Sequence, residues 1–593
     1  MTDKDDELVI DMAEEDAKED AKSDKNAHKQ AGEPGAHRNV WQWCLAHKLI
    51  TIPVAVLIVL GVLAAVPTTR FMVAGLFWKQ TLPVAVVDSQ TNKPVTNAQL
   101  VIDGKTFETN AAGVANPKVA VGVRSLAISK KYYKSISVSV TVPILRAKHP
   151  VSLKMVATGR QVPITVVNTI SGELVANAQI TTADTKALTG KAGQVTMVLP
   201  ADKNSVSATI TGDGYNSASV SLTVTAKTVA ANTFKITPSG KLYFLSNATG
   251  KIDVVKTNLD GTDRQTVVAG TGSEAPDNTV LLASKDWKYL ALYSIRKAGA
   301  PAEINLIDTA NGDKMTNVDT GSNASFSLVG WQGHSLIYVV SRDNYNAWQP
   351  GAVTLKSFNA ETAHISALYT TAASGTSNSD AQYESVFASG VRLLGNKVVF
   401  STLWYKYPGY LQNPGKQNIL YSINADGTGK KSLAILDANT TYVGNIIPYE
   451  PDELVVQISS INGDTPATYY AYGTDGGYNK TNAPSQDVLF GNYPTFLASP
   501  SDKQVFWAEQ RDGKNLLQIG DNHAEKPVQI ASASDYNTYG WYTDRYLLVS
   551  KNSSELYILP AAPLASGQSP LKISNYYKPA VNFNGYGGGY GGR

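Results

Sequence analysis

A single cysteine, Cys44, stands near the start of this 593-residue chain, so no internal disulfide can form and everything after it is held by burial and hydrogen bonding. Histidine is nearly as scarce. The seven, His28, His37, His47, His149, His334, His364 and His523, form no HExxH or other metal-ligand spacing. The sequence therefore predicts no metal and no other cofactor. Runs of Lys and Arg are missing too: 52 basic residues against 49 acidic ones are spread along the chain, which argues against a nucleic-acid partner. There is no G-x-S-x-G nucleophile elbow, and the chain after Tyr577 is too short for a hydrolase domain.

Charge is absent from one long stretch, Leu49 to Val66, LITIPVAVLIVLGVLAAV. As a helix it would cover roughly 27 Å, close to the ~30 Å hydrocarbon core of a bilayer, so the sequence predicts a single membrane span there. Trp41, Trp43 and Trp78 flank it where amphipathic rings favour an interface. Ahead of it, residues 1–40 hold ten acids in the first twenty positions and hardly any large apolar side chain. That segment cannot offset its chain entropy and is expected to be a disordered acidic tail, free to meet a cytoplasmic partner. Residues 41–78 are read as an uncleaved signal anchor with its flanks. The expected topology is single-pass in the cell membrane, tail inside and large domains outside, because long domains translocate largely regardless of charge.

Shifting the chain against itself by 80 residues lays PVAVVDSQTNKPVTNAQLVI (Pro83 to Ile102) over PITVVNTISGELVANAQITT (Pro163 to Thr182). Asn97-Ala98-Gln99 meets Asn177-Ala178-Gln179, and Gly113 meets Gly193. Both copies alternate with period 2, as in SISVSVTV and SASVSLTV, so residues 82–156 and 160–228 read as two tandem β-sandwich domains. The pattern resembles carboxypeptidase regulatory-like (transthyretin-like) domains and, more distantly, PEGA-type surface repeats. That resemblance implies a stalk.

From residue 231 to residue 577 the period changes to units of about 35 to 50 residues, each readable as four short strands. The second strands are KLYFLSN, KYLALYSI, SLIYVVS, KVVFSTLWY, ELVVQISS, QVFWAEQ and RYLLVSK, which makes seven units. Asp-Gly and Asn-Gly turns, as in Asn258 to Asp263, Thr309 to Lys314 and Asn424 to Gly429, mark hairpins. These turns lack EF-hand ligand spacing and read as structural. The fold class expected is mostly β: one N-terminal transmembrane helix, two tandem β-sandwiches, then a seven-bladed β-propeller. ASPSDKQVFWAEQRDGKNLLQIG (Ala498 to Gly520) and NILYSINADGTGKKSLA (Asn418 to Ala434) resemble TolB-like propellers, related to those of prolyl peptidases. Residues 578–593 form a Gly/Tyr-rich tail expected to be flexible.

With strands a to d in each blade, b–c loops and d–a crossovers emerge on one face. Two b–c loops are long, Arg342 to Gly351 and Lys406 to Gln417, and the crossover between those blades, Thr370 to Gln382, is long as well. This sector carries the candidate binding residues Arg342, Asn344, Tyr345, Trp348, Tyr405, Tyr407 and Tyr410, with Asn346 and Asn413 among them. Ring faces interleaved with amide and charged groups suit a glycan or a protein ligand. The expected function is a membrane-anchored binding or scaffold protein of the cell envelope, with a stalk and a recognition head. The alternatives are a propeller-type glycosidase or lyase using Asp286, Asp452 or Asp502, and a subunit of an envelope complex. No recognisable catalytic set favours an enzyme.

Overall fold

The structure, a computed structural model, describes residues 48–65, 78–145, 149–225, 232–275, 278–343, 345–489, 494–532, 536–552, 554–565 and 567–577. The expected tails, Cys44, Trp41 and Trp43 lie outside the described residues. Contacts divide the chain into two units, one of Met1–Gln80 with Lys118–Val123 and Thr141–Arg146, the other of the remainder. The first holds the helix Lys48–Ala65. The expected membrane-spanning helix is corrected here: among the described residues no helix is long and apolar enough to cross a membrane. A span needs about 20 consecutive apolar residues, whereas this helix has 18 residues, begins at Lys48 and carries Pro53 inside it. The fold is mostly β.

In the second unit, Val84–Asp88 pairs antiparallel with Val114–Ala115 and parallel with Val151–Met155, while Gln99–Ile102 pairs with Lys105–Glu108 and with Gly122–Ser129. The next stretch repeats this plan. Arg160–Asn168 runs between Gln194–Leu199 and the parallel strand Thr233–Ile236, facing a second sheet of Lys186–Leu188, Gln179–Thr182, Ser205–Thr211 and Ala218–Thr223. One core joins the two sheets, with Val162, Ile164, Ile180, Met197, Ile210 and Ile236 in it. The 80-residue repeat extends to single hydrogen bonds. Thr109 Oγ1 donates to Val95 O and accepts from Ala98 N at 2.7 and 2.9 Å, and Thr189 does the same with Val175 and Ala178 at the same distances. Asp88 Oδ1 accepts from the backbone of Gln90 and Thr91, as Asn168 Oδ1 does from Ile170 and Ser171.

Among the described residues seven blade sheets follow, with one further three-stranded sheet inserted between the third and the fourth. Blade 1 has three strands, Leu242–Ser246, Asp253–Thr257 and Gln265–Val268, and blades 2 to 7 have four each, beginning at Val280, Ala324, Arg392, Thr441, Leu497 and Tyr536. Thr233–Ile236, where the sequence places the start of the propeller, is taken by the small-sheet unit instead. Inner strands are buried on both faces and read as continuous apolar runs, as in Leu242–Ser246 and Val280–Ala283, whereas the outer strand Lys314–Thr320 is open to solvent. Indoles tie successive inner strands: Trp331 Nε1 donates to Leu282 O at 3.0 Å, and Trp541 Nε1 to Leu497 O at 2.6 Å. Where blade 1 has three strands among the described residues, Trp287 of blade 2 reaches across to donate to Trp541 O of blade 7 at 2.9 Å. The ring closes where Tyr577 N donates to Leu245 O at 2.8 Å and Arg264 Nη1 donates to Ser574 Oγ at 2.9 Å.

Candidate functional site

The three enlarged loops converge on one inserted sheet. The sequence KVVFSTLWY reads as one strand but breaks at Thr402, whose hydroxyl accepts from Ile419 N at 3.1 Å while its own N–H donates to Ile419 O. Lys397–Ser401 stays in blade 4. Leu403–Lys406 leaves it and pairs with Gln382–Ser385, which in turn pairs with Ala373–Ser374. The crossover thus supplies two strands of a three-stranded sheet and the b–c loop of blade 4 supplies the third. Buried Glu384 fastens this sheet to blade 3, accepting from Tyr369 OH at 2.7 Å and from Ala372 N at 3.0 Å. The remaining loop joins through Ala347 N, which donates to Asn378 Oδ1 at 3.0 Å.

On this scaffold the rings form a continuous array. Tyr383 and Tyr405 are direct cross-strand partners, with centroids 5.5 Å apart and planes at 19°. Tyr345 meets Tyr383 edge-on at 6.4 Å, and Phe387 meets Tyr405 edge-on at 6.3 Å. Tyr407 N donates to Ala381 O, and Tyr410 exchanges backbone hydrogen bonds with Lys406. Burial, and then the neighbouring tyrosines, raise the pKa values of Tyr345, Tyr383 and Tyr405, so these phenols stay neutral at physiological pH. The outward rings are Tyr345, Phe387, Tyr407 and Tyr410, exposed by 38, 49, 44 and 66%.

The structure therefore brings Tyr345, Tyr405, Tyr407 and Tyr410 together, and Arg342 lies exposed at the end of its strand. Trp348 is half-buried and makes no ring contact with the array among the described residues. Asn346 is exposed, and Asn344 lies outside the described residues. Asn413 is fully buried: its Nδ2 donates to the carbonyls of Trp404, Tyr410 and Leu411, so it shapes the loop and offers no surface. Sequence reasoning missed Tyr383 and Phe387. The alternation Gln-Tyr-Glu-Ser at 382–385 was the available sign of a strand inside the crossover.

The carboxylates of the enzymatic alternative lie on the other face, in a–b turns, and each is already engaged. Asp286 pairs with His334 at 2.8 Å, Asp452 with His523 at 2.7 Å, and Asp502 with Lys285. The Asp-Gly turns use their carboxylates locally, Asp426 accepting from Thr428 N at 2.9 Å and Asp260 from Thr262 N at 3.1 Å. Among the described residues no group of three His, Cys, Asp or Glu side chains is placed to hold a metal ion.

The fold is that of a propeller protein, and one face of it carries an exposed aromatic array. No family model matches the chain, and no curated protein matches it. Among solved structures it is similar to a prolyl endopeptidase, with 11% identity and a TM-score of 0.33 over 57% of this chain and 48% of that one, so it spans about half that enzyme's length. It is similar to the β-propeller domain of the Trilobed protease from Pyrococcus furiosus, with 13% identity and a TM-score of 0.31 over 64% of this chain and 94% of that domain. A third similarity is to TolB from Acinetobacter baumannii, with 15% identity and a TM-score of 0.23 over 56% of this chain and 78% of that one.

Proposed function

We propose that the protein is a binding or scaffold protein acting outside the cytoplasm, whose propeller recognises a glycan chain on the inserted sheet while the small-sheet units serve as a spacer. The observation that carries this reading is the ring array from Tyr345 through Tyr383 and Tyr405 to Phe387, assembled from three separate loops. Sugar rings present apolar C–H faces and polar rims, and exposed ring faces beside Arg342 and Asn346 match both. The test is titration of the purified full chain against a panel of cell-wall polysaccharides, repeated with Tyr407→Ala/Tyr410→Ala. Binding that falls at least about tenfold, or about 1.4 kcal/mol, at unchanged melting temperature supports the reading. Failure of every glycan, with one protein captured stoichiometrically through the same tyrosines, replaces the glycan by a protein ligand.

A further inference from the structure

On the opposite face, the first strands and the a–b and c–d turns of blades 2 to 7 enclose a cavity of about 840 Å³. That is within the roughly 300–1,000 Å³ typical of ligand pockets. Its floor is apolar, with Leu282, Trp331, Leu394 and Leu454 lining it, all buried. The turns carry charge at its rim: Lys285, Asp426, Glu450, Asp452, Asp502 and His523.

These charges do not balance. Lys285 is used by Asp502, and His523 Nδ1 lies 2.7 Å from Asp452 Oδ2. Asp426 is satisfied by Thr428 N and Oγ1, at 2.9 and 2.7 Å. Glu450 has no hydrogen-bond or ion-pair partner among the described residues. Glu450 stands exposed at the rim, where partial desolvation and then the charges of Asp452 and Glu453 push its pKa up. A second polar group in the wall is also idle. Tyr539 lines the cavity at 7% exposure, and among the described residues its hydroxyl has no hydrogen-bond partner.

We propose that this cavity binds a compact organic cation, an ammonium or guanidinium on an apolar stem, with its head at Glu450 and its stem against the floor. The Tyr539 hydroxyl is left as an acceptor for a second donor on the ligand. The cation is either a free amine or a Lys or Arg side chain of a peptide. This site is independent of the glycan reading and stands on the other face of the propeller.

Calorimetric titration of the full chain with cadaverine and with N-acetyl-Leu-Lys-Leu-amide tests it, each beside its neutral twin, 1,5-pentanediol and the norleucine peptide. The charged probe should bind at least tenfold more tightly than its twin, and Glu450→Gln should remove that preference at unchanged melting temperature. Whichever charged probe binds tighter identifies the source. Asp426→Asn, at a carboxylate already satisfied, should lower affinity less than Glu450→Gln. Equal binding of charged and neutral twins, no binding of either cation at millimolar concentration, or an undiminished preference in Glu450→Gln would overturn the proposal. Should Glu450→Gln fail to fold, Tyr539→Phe serves in its place, and an affinity within twofold of wild type with raised salt having no effect counts against it.

Discussion

His334 bridges two blades through its two ring nitrogens. Nε2 lies 2.8 Å from Asp286 Oδ2 in blade 2, and Nδ1 lies 2.7 Å from Glu361 Oε1 in blade 3. Lys288 approaches Glu361 at 3.6 Å, and the Tyr289 ring stands edge-on to the imidazole at 5.1 Å. Partial burial disfavours the imidazolium, but the two carboxylates outweigh it and raise the pKa above its ordinary 6.5. A value raised on folding gives stability that is fully present below pH 6.5 and is lost as pH rises through the folded value. The melting temperature of the wild type should therefore fall relative to His334→Gln as pH rises from the acidic to the alkaline side of that window. Parallel curves for the two proteins would show that the bridge contributes no pH-dependent stability. The tyrosines divide in a different way. Tyr405 is half-buried between Tyr383 and Phe387, so Tyr405→Ala should cost about 1–3 kcal/mol in denaturant unfolding, whereas exposed Tyr410→Ala should leave stability within about 0.5 kcal/mol. Tyr405, Tyr407 and Tyr410 were legible as a cluster because they are neighbours in the chain. Tyr383 was not, because its place beside Tyr405 is a cross-strand pairing, and nothing local in the sequence records which strand a crossover will meet.

At the scale of elements, the closure of the ring rests on a few tight turns. Gly261 turns between the last two strands of blade 1 at φ 80°, and a Cβ added there would overlap the carbonyl oxygen of Ile573 in blade 7. Gly250 turns between the first two strands of the same blade at φ 81°, with open space where a Cβ would go. Both alanine substitutions bear the left-handed backbone cost of about 1–2 kcal/mol, and only Gly261→Ala also forces blades 1 and 7 apart. Its unfolding free energy should fall further than that of Gly250→Ala, and equal losses would mean that this contact does not hold the ring closed. The blades themselves were legible because their inner strands are uninterrupted apolar runs bounded by Asp-Gly and Asn-Gly turns. Two assignments were not. Thr233–Ile236 is followed closely by Leu242–Ser246, as the first strand of a blade would be by its second, and its partner Arg160–Asn168 is settled only by tertiary packing. The break at Thr402 depends on a side-chain hydroxyl taking over a strand's hydrogen bond with Ile419, which no periodicity displays. The apolar run Leu49 to Val66 does fold as a helix, Lys48–Ala65, but among the described residues no helix is long and apolar enough to cross a membrane.

Within the second unit, the second small-sheet repeat and the propeller share interior. Ile170, in the turn after Arg160–Asn168, belongs to the same buried cluster as Leu242, Trp541 and Leu559. Beside it Asn168, 3% exposed, donates to Tyr546 OH of blade 7 at 2.8 Å, and Gln568 Nε2 donates to Ile170 O at 3.0 Å. The first repeat meets the second differently, through polar contacts: Gln161 Nε2 donates to both carboxylate oxygens of Asp88 at 3.0 Å, Tyr132 OH to Asp184 at 2.7 Å, and Lys186 pairs with Glu108 at 2.8 Å. The exposed pairs, Tyr132 with Asp184 and Lys186 with Glu108, contribute about 0–1 kcal/mol each, while a buried isoleucine contributes about 2–5 kcal/mol when its removal leaves a cavity. The second repeat should therefore unfold together with the propeller, and the first should be able to unfold alone. With one cysteine in the whole chain, added dithiothreitol should move neither event. Differential scanning calorimetry of the full chain separates the cases. Ile170→Ala should lower the transition that contains the propeller and begin to split the second repeat from it, whereas Tyr132→Phe should shift only the smaller transition of the first repeat. A single transition in which Ile170→Ala and Tyr132→Phe act alike would mean that the polar junction between the repeats couples them as firmly as the buried one couples the second repeat to the propeller.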